Sequence, residues 1–307
     1  MKVYLSEPIY NAARAKLESV AEIVDNFDNI EDIDAIILRN IPVTAEMMDK
    51  AKKLKVIAKH GIGVNTIDVK AAKERGIQVI YTPTTNADSV AELTVGLVLN
   101  LERRIYEANI GCREGRFKTI APKEFAGTEI KGKVFGQIGM GNIAQRIAHI
   151  MGAGFGAHVL GYDPFISKEE AEKRGFEYVA TLEELIERSD IVNINVPLVK
   201  STEKMISGDL FNHFKPEAIF INAARGGVID EDDLYSALVS GKLKAAACDT
   251  FVKEPPTSEN KLLSLSNFSA TPHLGGNTVE ALEKTGTEVV EETLNVLAGK
   301  KPMHPVA

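Results

Sequence analysis

The chain has 307 residues, a formal net charge of −7 at pH 7 and 44% hydrophobic residues, which is typical of an ordinary globular protein of about two domains. The acidic balance and the lack of a basic face argue against a nucleic-acid-binding protein. No apolar run approaches the ~20 residues of a membrane span, no secretory signal is recognisable, and the two cysteines lack the CxxC spacing of metal or redox sites, so we expect a cytoplasmic protein without a metal centre.

Short apolar strands alternate with helical segments along the chain, which is the pattern of α/β folds with parallel sheets. The strands are continuous apolar runs because helices cover both faces of such sheets. Predicted strands lie at 3–5, 35–38, 55–58, 78–80, 133–138, 157–161, 190–196, 218–222, 245–249 and 268–270.

Helix signals fall between these strands. Thr181 begins a capping-box pattern with Glu184, and Asp230 is a candidate cap for a helix that ends near residue 240. Two longer helices are predicted at 86–108 and 277–297. The helix at 86–108 follows a region that has no phosphate-binding loop and precedes a region that has one. We therefore interpret this helix as the connector between two domains.

Residues 139–144 (Gly-Met-Gly-Asn-Ile-Ala, the dinucleotide loop) join a predicted strand to an apolar-periodic helix. Gly139 permits the tight turn, Gly141 lets the backbone approach a pyrophosphate, and Ala144 lets the helix pack close to the sheet. The helix N-terminus then offers free N–H groups to phosphate. A lone pattern of this kind is weak, but the strand and helix that it requires are present here.

Asp163 follows the next predicted strand, at about the spacing where an acidic residue meets the adenosine ribose of a bound dinucleotide. Its carboxylate would accept hydrogen bonds from the ribose hydroxyls and repel a 2′-phosphate. The sequence therefore favours NAD over NADP. The alternative interpretation is a plain glycine turn followed by an acidic turn residue.

Three polar clusters, at 222–227, 249–255 and 271–276, follow later strands, where ligands of open α/β sheets bind. Arg225 offers a two-pronged hydrogen bond to a carboxylate. His273 is able to exchange a hydroxyl proton near neutral pH, and Glu254 would stabilise the imidazolium. Each residue alone also fits a surface or loop position. Together they are what hydride transfer to a 2-keto acid requires.

These clusters resemble the D-isomer-specific 2-hydroxyacid dehydrogenase family, which includes phosphoglycerate, D-lactate, glycerate and formate dehydrogenases. The resemblance covers nearly the whole chain and extends to Gly-Ile-Gly-Val-Asn at 61–65, Thr-Pro at 82–83, Val-Ala-Glu at 90–92 and Asn-Val-Pro-Leu at 195–198. It implies two doubly wound parallel-sheet α/β domains. A Rossmann dinucleotide-binding domain, 99–283, would be inserted into a flavodoxin-like substrate domain formed by 1–98 and 284–307. The cleft between them would close on the ligands, and members are commonly homodimers.

The resemblance also implies residue roles. Arg225 would bind the substrate carboxylate and carbonyl, His273 would give or take the proton, and Glu254 would raise the basicity of His273. Further substrate contacts would come from Lys59, Gly61 and Ile62. The implied NAD contacts are Thr82, Gly139, Gly141, Asn142, Ile143, Asp163, Val196, Pro197, Ala223, Ala224, Arg225, Asp249, His273, Gly275 and Gly276.

The sequence leaves two kinds of acid as candidate substrates, one with a phosphate group and one without. Glu254 argues against formate oxidation, which needs no proton transfer, because formate dehydrogenases carry a glutamine there. Lys59, with His60, would meet the phosphate of 3-phosphoglycerate or phosphohydroxypyruvate, although a lysine in solvent is an equal alternative. Without that role, glyoxylate, hydroxypyruvate or lactate is expected. Since the sequence ends at residue 307, we expect no serine-binding regulatory domain.

Two other functions remain open at this point. The same scaffold occurs in NAD-sensing transcriptional corepressors, which bind NAD without needing turnover. An inactive structural paralogue is the third interpretation.

Overall fold

The computed structural model describes residues 1–306. Its strands are β1 Lys2–Leu5, β2 Glu22–Val24, β3 Ala35–Leu38, β4 Val56–Lys59, β5 Gln78–Ile80, β6 Val134–Ile138, β7 His158–Tyr162, β8 Glu177–Tyr178, β9 Ile191–Ile194, β10 Ile219–Asn222, β11 Ala245–Cys248 and β12 Phe268–Ala270. Its α-helices are α1 Asn11–Glu18, α2 Ala45–Lys50, α3 Val69–Glu74, α4 Ala87–Arg103, α5 Ile105–Arg113, α6 Asn142–His149, α7 Lys168–Lys173, α8 Leu182–Arg188, α9 Glu231–Val239 and α10 Val279–Leu297. Within residues 1–306, no helix has the length and apolarity needed to cross a membrane.

One compact unit, unit 1, consists of Met1–Asn86 and Gly276–Ala307. Its five strands are all parallel and lie in the order β2-β1-β3-β4-β5, which is the flavodoxin-like order. Successive strand residues face opposite sides of the sheet. Val3 and Ile37 pack with Val289 of α10 on one side, and Ile36 and Ile57 lie in a separate core on the other.

The second compact unit, unit 2, consists of Ala87–Gly275. Its seven strands are all parallel, in the order β12-β11-β10-β9-β6-β7-β8. The chain order reverses between β9 and β6, as in the dinucleotide-binding Rossmann fold, and the crevice at that switch point is where such folds bind ligands. The predicted fold class, two doubly wound parallel-sheet domains of Rossmann and flavodoxin-like type, is confirmed.

The units divide at residues 86/87 and 275/276, whereas the boundaries predicted from the sequence lie at 98/99 and 283/284. The difference at the first boundary follows from the packing of α4. Its buried residues Ala91, Val95 and Val98 belong to the same core as Ala144 and Ile147 of α6, so the helix is part of unit 2 from its first turn.

The predicted helix at 86–108 is wrong in one respect, because the structure has two helices there, α4 and α5. Arg104, between them, has φ of +49°, a left-handed conformation that interrupts helical hydrogen bonding. Its guanidinium pairs with Glu107 and lies 4.2 Å from the ring centroid of Phe125. No glycine or proline marks this break in the sequence.

The helix caps follow the sequence signals. Thr181 Oγ1 accepts a hydrogen bond from Glu184 N at 3.2 Å. Asp230 Oδ1 accepts from Asp232 N at 3.0 Å and from Asp233 N at 3.1 Å. Both predicted caps are confirmed, and the second fixes the start of the helix that follows the Arg225 cluster.

Asp230 caps the helix and also forms an ion pair, because its Oδ2 lies 2.8 Å from Lys204 Nζ. Two replacements of Asp230 distinguish what each interaction contributes to stability. Asp230→Ala should lower the free energy of unfolding by about 1–2 kcal/mol because two N–H groups lose their acceptor. Asp230→Asn keeps an acceptor oxygen and should cost only about 0.5 kcal/mol. Urea unfolding measures both changes, and equal losses would mean that the ion pair, not the cap, matters.

Candidate active site

The dinucleotide loop forms a tight turn between β6 and α6. Gly139 has φ of +84°, and a Cβ added there would lie 2.5 Å from Asn195 O. A Cβ at Gly141 would meet nothing within 4 Å. The first N–H groups of α6, which begins at Asn142, have no acceptor within the helix. Open backbone and the positive end of a helix dipole suit a pyrophosphate.

Asp163 lies directly after β7 and is tied to this loop. Its Oδ2 accepts a hydrogen bond from Met140 N at 3.0 Å, and its Oδ1 accepts from Phe165 N at 3.0 Å. Each carboxylate oxygen keeps a further lone pair. Asp163 therefore has a fixed position and free acceptor capacity, as a contact to ribose hydroxyls requires.

Arg225 follows β10 on a segment held by the end of that strand. Asn222 Nδ2 donates to Arg225 O at 2.9 Å, and Ala224 N donates to Asn222 Oδ1 at 3.0 Å. The guanidinium donates from Nη1 to Ala224 O at 2.6 Å. Burial lowers the pKa of Arg225, and the charge of Glu254 acts in the opposite direction. A half-buried guanidinium with unused donors is suited to binding a carboxylate.

His273 and Glu254 form a pair in which His273 Nδ1 lies 2.8 Å from Glu254 Oε2. The other carboxylate oxygen, Oε1, accepts from Phe251 N at 3.0 Å. Burial pushes the pKa of Glu254 up, but the hydrogen bonds from His273 and Phe251 and the charges of His273 and Arg225 outweigh it, so its pKa lies below the usual value. Glu254 is therefore ionised near neutral pH, and within residues 1–306 His273 Nε2 has no hydrogen-bond partner.

The backbone of His273 has φ of +58°, a left-handed conformation that is unusual for a residue with a Cβ. Asp249, 1% exposed at the end of β11, organises this turn. Its carboxylate accepts from Thr271 Oγ1 at 2.6 Å, from Leu274 N at 2.7 Å and from Gly275 N at 2.8 Å. Its carbonyl accepts from His273 N at 2.8 Å. Asp249 thus accepts four hydrogen bonds that hold the turn carrying the histidine.

In unit 1, Gly61 lies just after β4 with φ of +128°. Its N–H donates to Thr82 Oγ1 at 2.9 Å, and Thr82 N donates to Gly61 O at 3.0 Å. This reciprocal pair fixes the start of the 61–65 segment. Because a Cβ at Gly61 would meet no atom within 4 Å, the conformation rather than crowding requires glycine here.

Lys59 is not a lysine in solvent, because it is 7% exposed and its Nζ donates to Arg39 O. Beside it, His60 is 8% exposed, and its Nε2 is buried without a partner within residues 1–306. Burial and the neighbouring Arg39 charge lower the pKa of His60 to about 4. The Arg39 guanidinium has no hydrogen bond or ion pair within residues 1–306. Arg39 was not among the residues predicted from the sequence, since nothing in its immediate sequence marks it.

Residues 95–275 match the sequence model described as "D-isomer specific 2-hydroxyacid dehydrogenase, NAD binding domain". The chain belongs to the D-isomer-specific 2-hydroxyacid dehydrogenase family. Its unit 2 contains the NAD-binding domain of that family, and NAD is its cofactor.

Two relatives within the family are similar over almost the whole chain. A D-3-phosphoglycerate dehydrogenase of Methanocaldococcus jannaschii is 41% identical over 98% of this chain and 58% of its own length. A hydroxypyruvate reductase of Thermotoga maritima is 40% identical over 96% of this chain and 98% of its own. The chain thus spans little more than half the length of the first relative.

A solved structure of D-lactate dehydrogenase with NAD⁺ from Lactobacillus jensenii is 27% identical, covers both chains completely and superimposes with a TM-score of 0.80. The family resemblance drawn from the sequence motifs is therefore confirmed. Nothing in these comparisons supports the corepressor alternative.

The two units of this 2-hydroxyacid dehydrogenase family member each carry part of the predicted residue set. In unit 2, the half-buried Val196 and the exposed Pro197 follow β9, while Ala223 and Ala224 are buried after β10. Ile62 belongs to unit 1, as does Gly276, where an added Cβ would lie 2.8 Å from Asn86 Nδ2.

Gly226 holds the Arg225 and Glu254 segments together. A Cβ there would lie 1.9 Å from the carbonyl carbon of Phe251. Gly226→Ala should therefore lower the free energy of unfolding by about 3 kcal/mol, because backbone has to move. At Gly227 the added methyl meets the side chain of Leu198, with Cδ2 at 2.9 Å and Cδ1 at 3.2 Å, and this flexible side chain is able to shift. Urea unfolding of Gly227→Ala is the matched control, and similar losses in both variants would contradict this assignment.

Proposed function

We propose that the protein is an NAD-dependent oxidoreductase that transfers a hydride between the nicotinamide and C2 of a D-2-hydroxy acid or 2-keto acid. The observation that carries this proposal is the 2.8 Å pair of His273 and Glu254, on strand-end segments of the same Rossmann sheet as Arg225. An acid/base group and a carboxylate-binding group at such strand ends are the two protein functions that this reaction needs.

The residues present fit a dinucleotide. Gly139 leaves no room for a side chain, Gly141 is open, and Asp163 presents fixed acceptor oxygens. We propose that Gly139, Gly141, Asn142 and Ile143 hold the pyrophosphate. Further contacts along the cofactor are proposed for Thr82, Val196, Pro197, Ala223, Ala224, Arg225, Asp249, His273, Gly275 and Gly276. Bound NAD supplies or accepts the hydride.

The protein residues would act in the following way during reduction. Arg225 holds the substrate carboxylate and polarises the keto oxygen through charge-assisted hydrogen bonds. His273 Nε2 donates its proton to that oxygen while C2 is reduced, so a hydroxyl forms and the imidazole becomes neutral. Glu254 keeps the ring oriented through Nδ1 and stabilises the protonated form before transfer. The imidazole then regains a proton from solvent, and oxidation follows the reverse course.

In unit 1 we propose that Lys59, Gly61 and Ile62 contribute to substrate binding. The names of the two 40–41% identical relatives point to two substrates, one with a phosphate and one without. The charge of Arg39, which acts on His60, and the Lys59 ammonium, which donates to Arg39 O, support an anionic substituent, and phosphohydroxypyruvate carries one. We further propose a homodimer acting in the cytoplasm on small acids alone, without nucleic acid.

The proposed reaction is tested by following NADH loss with phosphohydroxypyruvate, hydroxypyruvate, glyoxylate and pyruvate. At least one acid should be reduced, and His273→Ala should lower kcat by about 10²- to 10⁴-fold because the proton donor is lost. His213, whose Nδ1 lies 2.6 Å from Glu187 Oε1, forms a similar surface pair. His213→Ala is the control and should leave kcat unchanged. Reduction of none of the acids, or equal rates in both variants, would reject the proposal.

Glu254→Gln should lower kcat/KM for keto acid reduction about tenfold. A hydrogen bond from His273 to an ionised carboxylate is stronger than one to a neutral amide by roughly 1.4 kcal/mol, so the variant stabilises the protonated ring less. Steady-state kinetics with NADH in excess measure this loss, with Glu187→Gln as control. An unchanged kcat/KM would contradict an electrostatic role of Glu254.

Phosphate recognition is tested by Arg39→Leu and Lys59→Ala. If these residues bind the substrate phosphate, each change should raise KM for phosphohydroxypyruvate about tenfold or more relative to KM for pyruvate, because a charge-assisted hydrogen bond is lost. Lys55 lies exposed before β4, so Lys55→Ala is the control. An equal rise for both substrates would show that Lys59 only supports the backbone of Arg39.

A further inference from the structure

Three amide side chains form a hydrogen-bonded chain in the centre of the unit 2 sheet. Gln137 of β6 and Asn193 of β9 are directly paired in register, and both are 0% exposed. Asn193 Nδ2 donates to Gln137 Oε1 at 2.8 Å and to Asn195 Oδ1 at 2.6 Å. Gln137 Nε2 donates to Asn195 Oδ1 at 3.3 Å and to Ile138 O at 3.0 Å. None of these side chains has a part in the mechanism above.

This amide chain is poorly explained by stability. The other buried residues of β6 and β9 are apolar except for glycine, as expected for parallel strands covered on both faces. Two polar atoms, Asn193 Oδ1 and Asn195 Nδ2, are buried without a partner within residues 1–306. An unsatisfied buried amide costs free energy, whereas an apolar pair of similar shape is neutral or stabilising.

The amide chain lies at the switch point of the unit 2 sheet. Strands β6 and β9 are the neighbours between which the chain order reverses, and dinucleotides bind at the carboxyl ends of such strands. The amide chain leads from the sheet interior to Asn195, just beyond β9. Asn195 N donates to Ile138 O at 2.9 Å, so its backbone is also fixed to β6.

Asn195 in turn supports the dinucleotide loop. Its carbonyl oxygen is the atom that an added Cβ at Gly139 would approach to 2.5 Å. The residue therefore lies directly against the tight turn of that loop, and Val196 and Pro197 follow it in sequence. A shift of Asn195 would therefore move both the backbone that packs against Gly139 and the start of the 196–197 segment.

We propose that Gln137 and Asn193 are positioning residues that fix Asn195 against Gly139 and so set the affinity for the dinucleotide. The proposal rests on the dinucleotide-binding part of the proposed function. It predicts that the three amides lower stability or leave it unchanged while they strengthen binding of NADH.

The test is the double variant Gln137→Leu/Asn193→Leu, with NADH affinity measured by calorimetry and stability by urea unfolding. The dissociation constant for NADH should rise at least about fivefold, while the urea midpoint stays unchanged or increases. Asn267, which donates to Lys244 O at 3.1 Å and directly precedes the edge strand β12 of the same sheet, provides the control. Asn267→Leu should lower the midpoint without weakening NADH binding.

Three outcomes would overturn the proposal. One is a dissociation constant that rises less than about fivefold, another is a lower midpoint together with weaker binding, and the third is equal weakening in Asn267→Leu. If the double variant does not fold, Asn195→Ala, which cuts the amide chain at its outer end, decides by the same affinity criterion. An unmodified protein that fails to bind NADH would instead reject the proposed function itself.

Discussion

The buried carboxylate of Asp249 is the constraint on which the proposed chemistry depends. It takes hydrogen bonds from Thr271, Leu274 and Gly275, and so holds His273 in a left-handed backbone conformation. That conformation places Nδ1 of the histidine at 2.8 Å from Glu254. A flexible loop would lose conformational entropy each time it positioned the histidine for reaction. Here the turn is already ordered in the folded protein.

The architecture supplies this arrangement through parallel strands. All seven strands of unit 2 run in the same direction, so the segments that follow β10, β11 and β12 all leave the sheet at the carboxyl ends of its strands. Arg225, Asp249 and His273 begin or lie within these segments, although 47 residues lie between the first and the last. The dinucleotide loop follows β6 of the same sheet. The order and direction of the parallel strands are therefore sufficient to bring the binding loop and the acid/base pair to the same end of the sheet.

Much of this was predictable from the sequence, and the exceptions have physical causes. Apolar runs predicted every interior strand, but not β2 or β8, which are short edge strands with partly exposed residues. The motifs placed Arg225 and Glu254 correctly at strand ends. The positive φ of His273 and the contacts of Asp249 and Arg39 were not predictable, because they depend on which residues the fold brings close, not on local pattern.

The most direct test of the central claim is isotope transfer. The 2-keto acid that is reduced fastest, other than glyoxylate because its product is achiral, is converted with NADH that carries deuterium at both C4 positions of the nicotinamide. The product is analysed by NMR and chiral chromatography. The account predicts deuterium bonded to C2 of a D-2-hydroxy acid. A product without deuterium at C2, or one of L configuration, would contradict it.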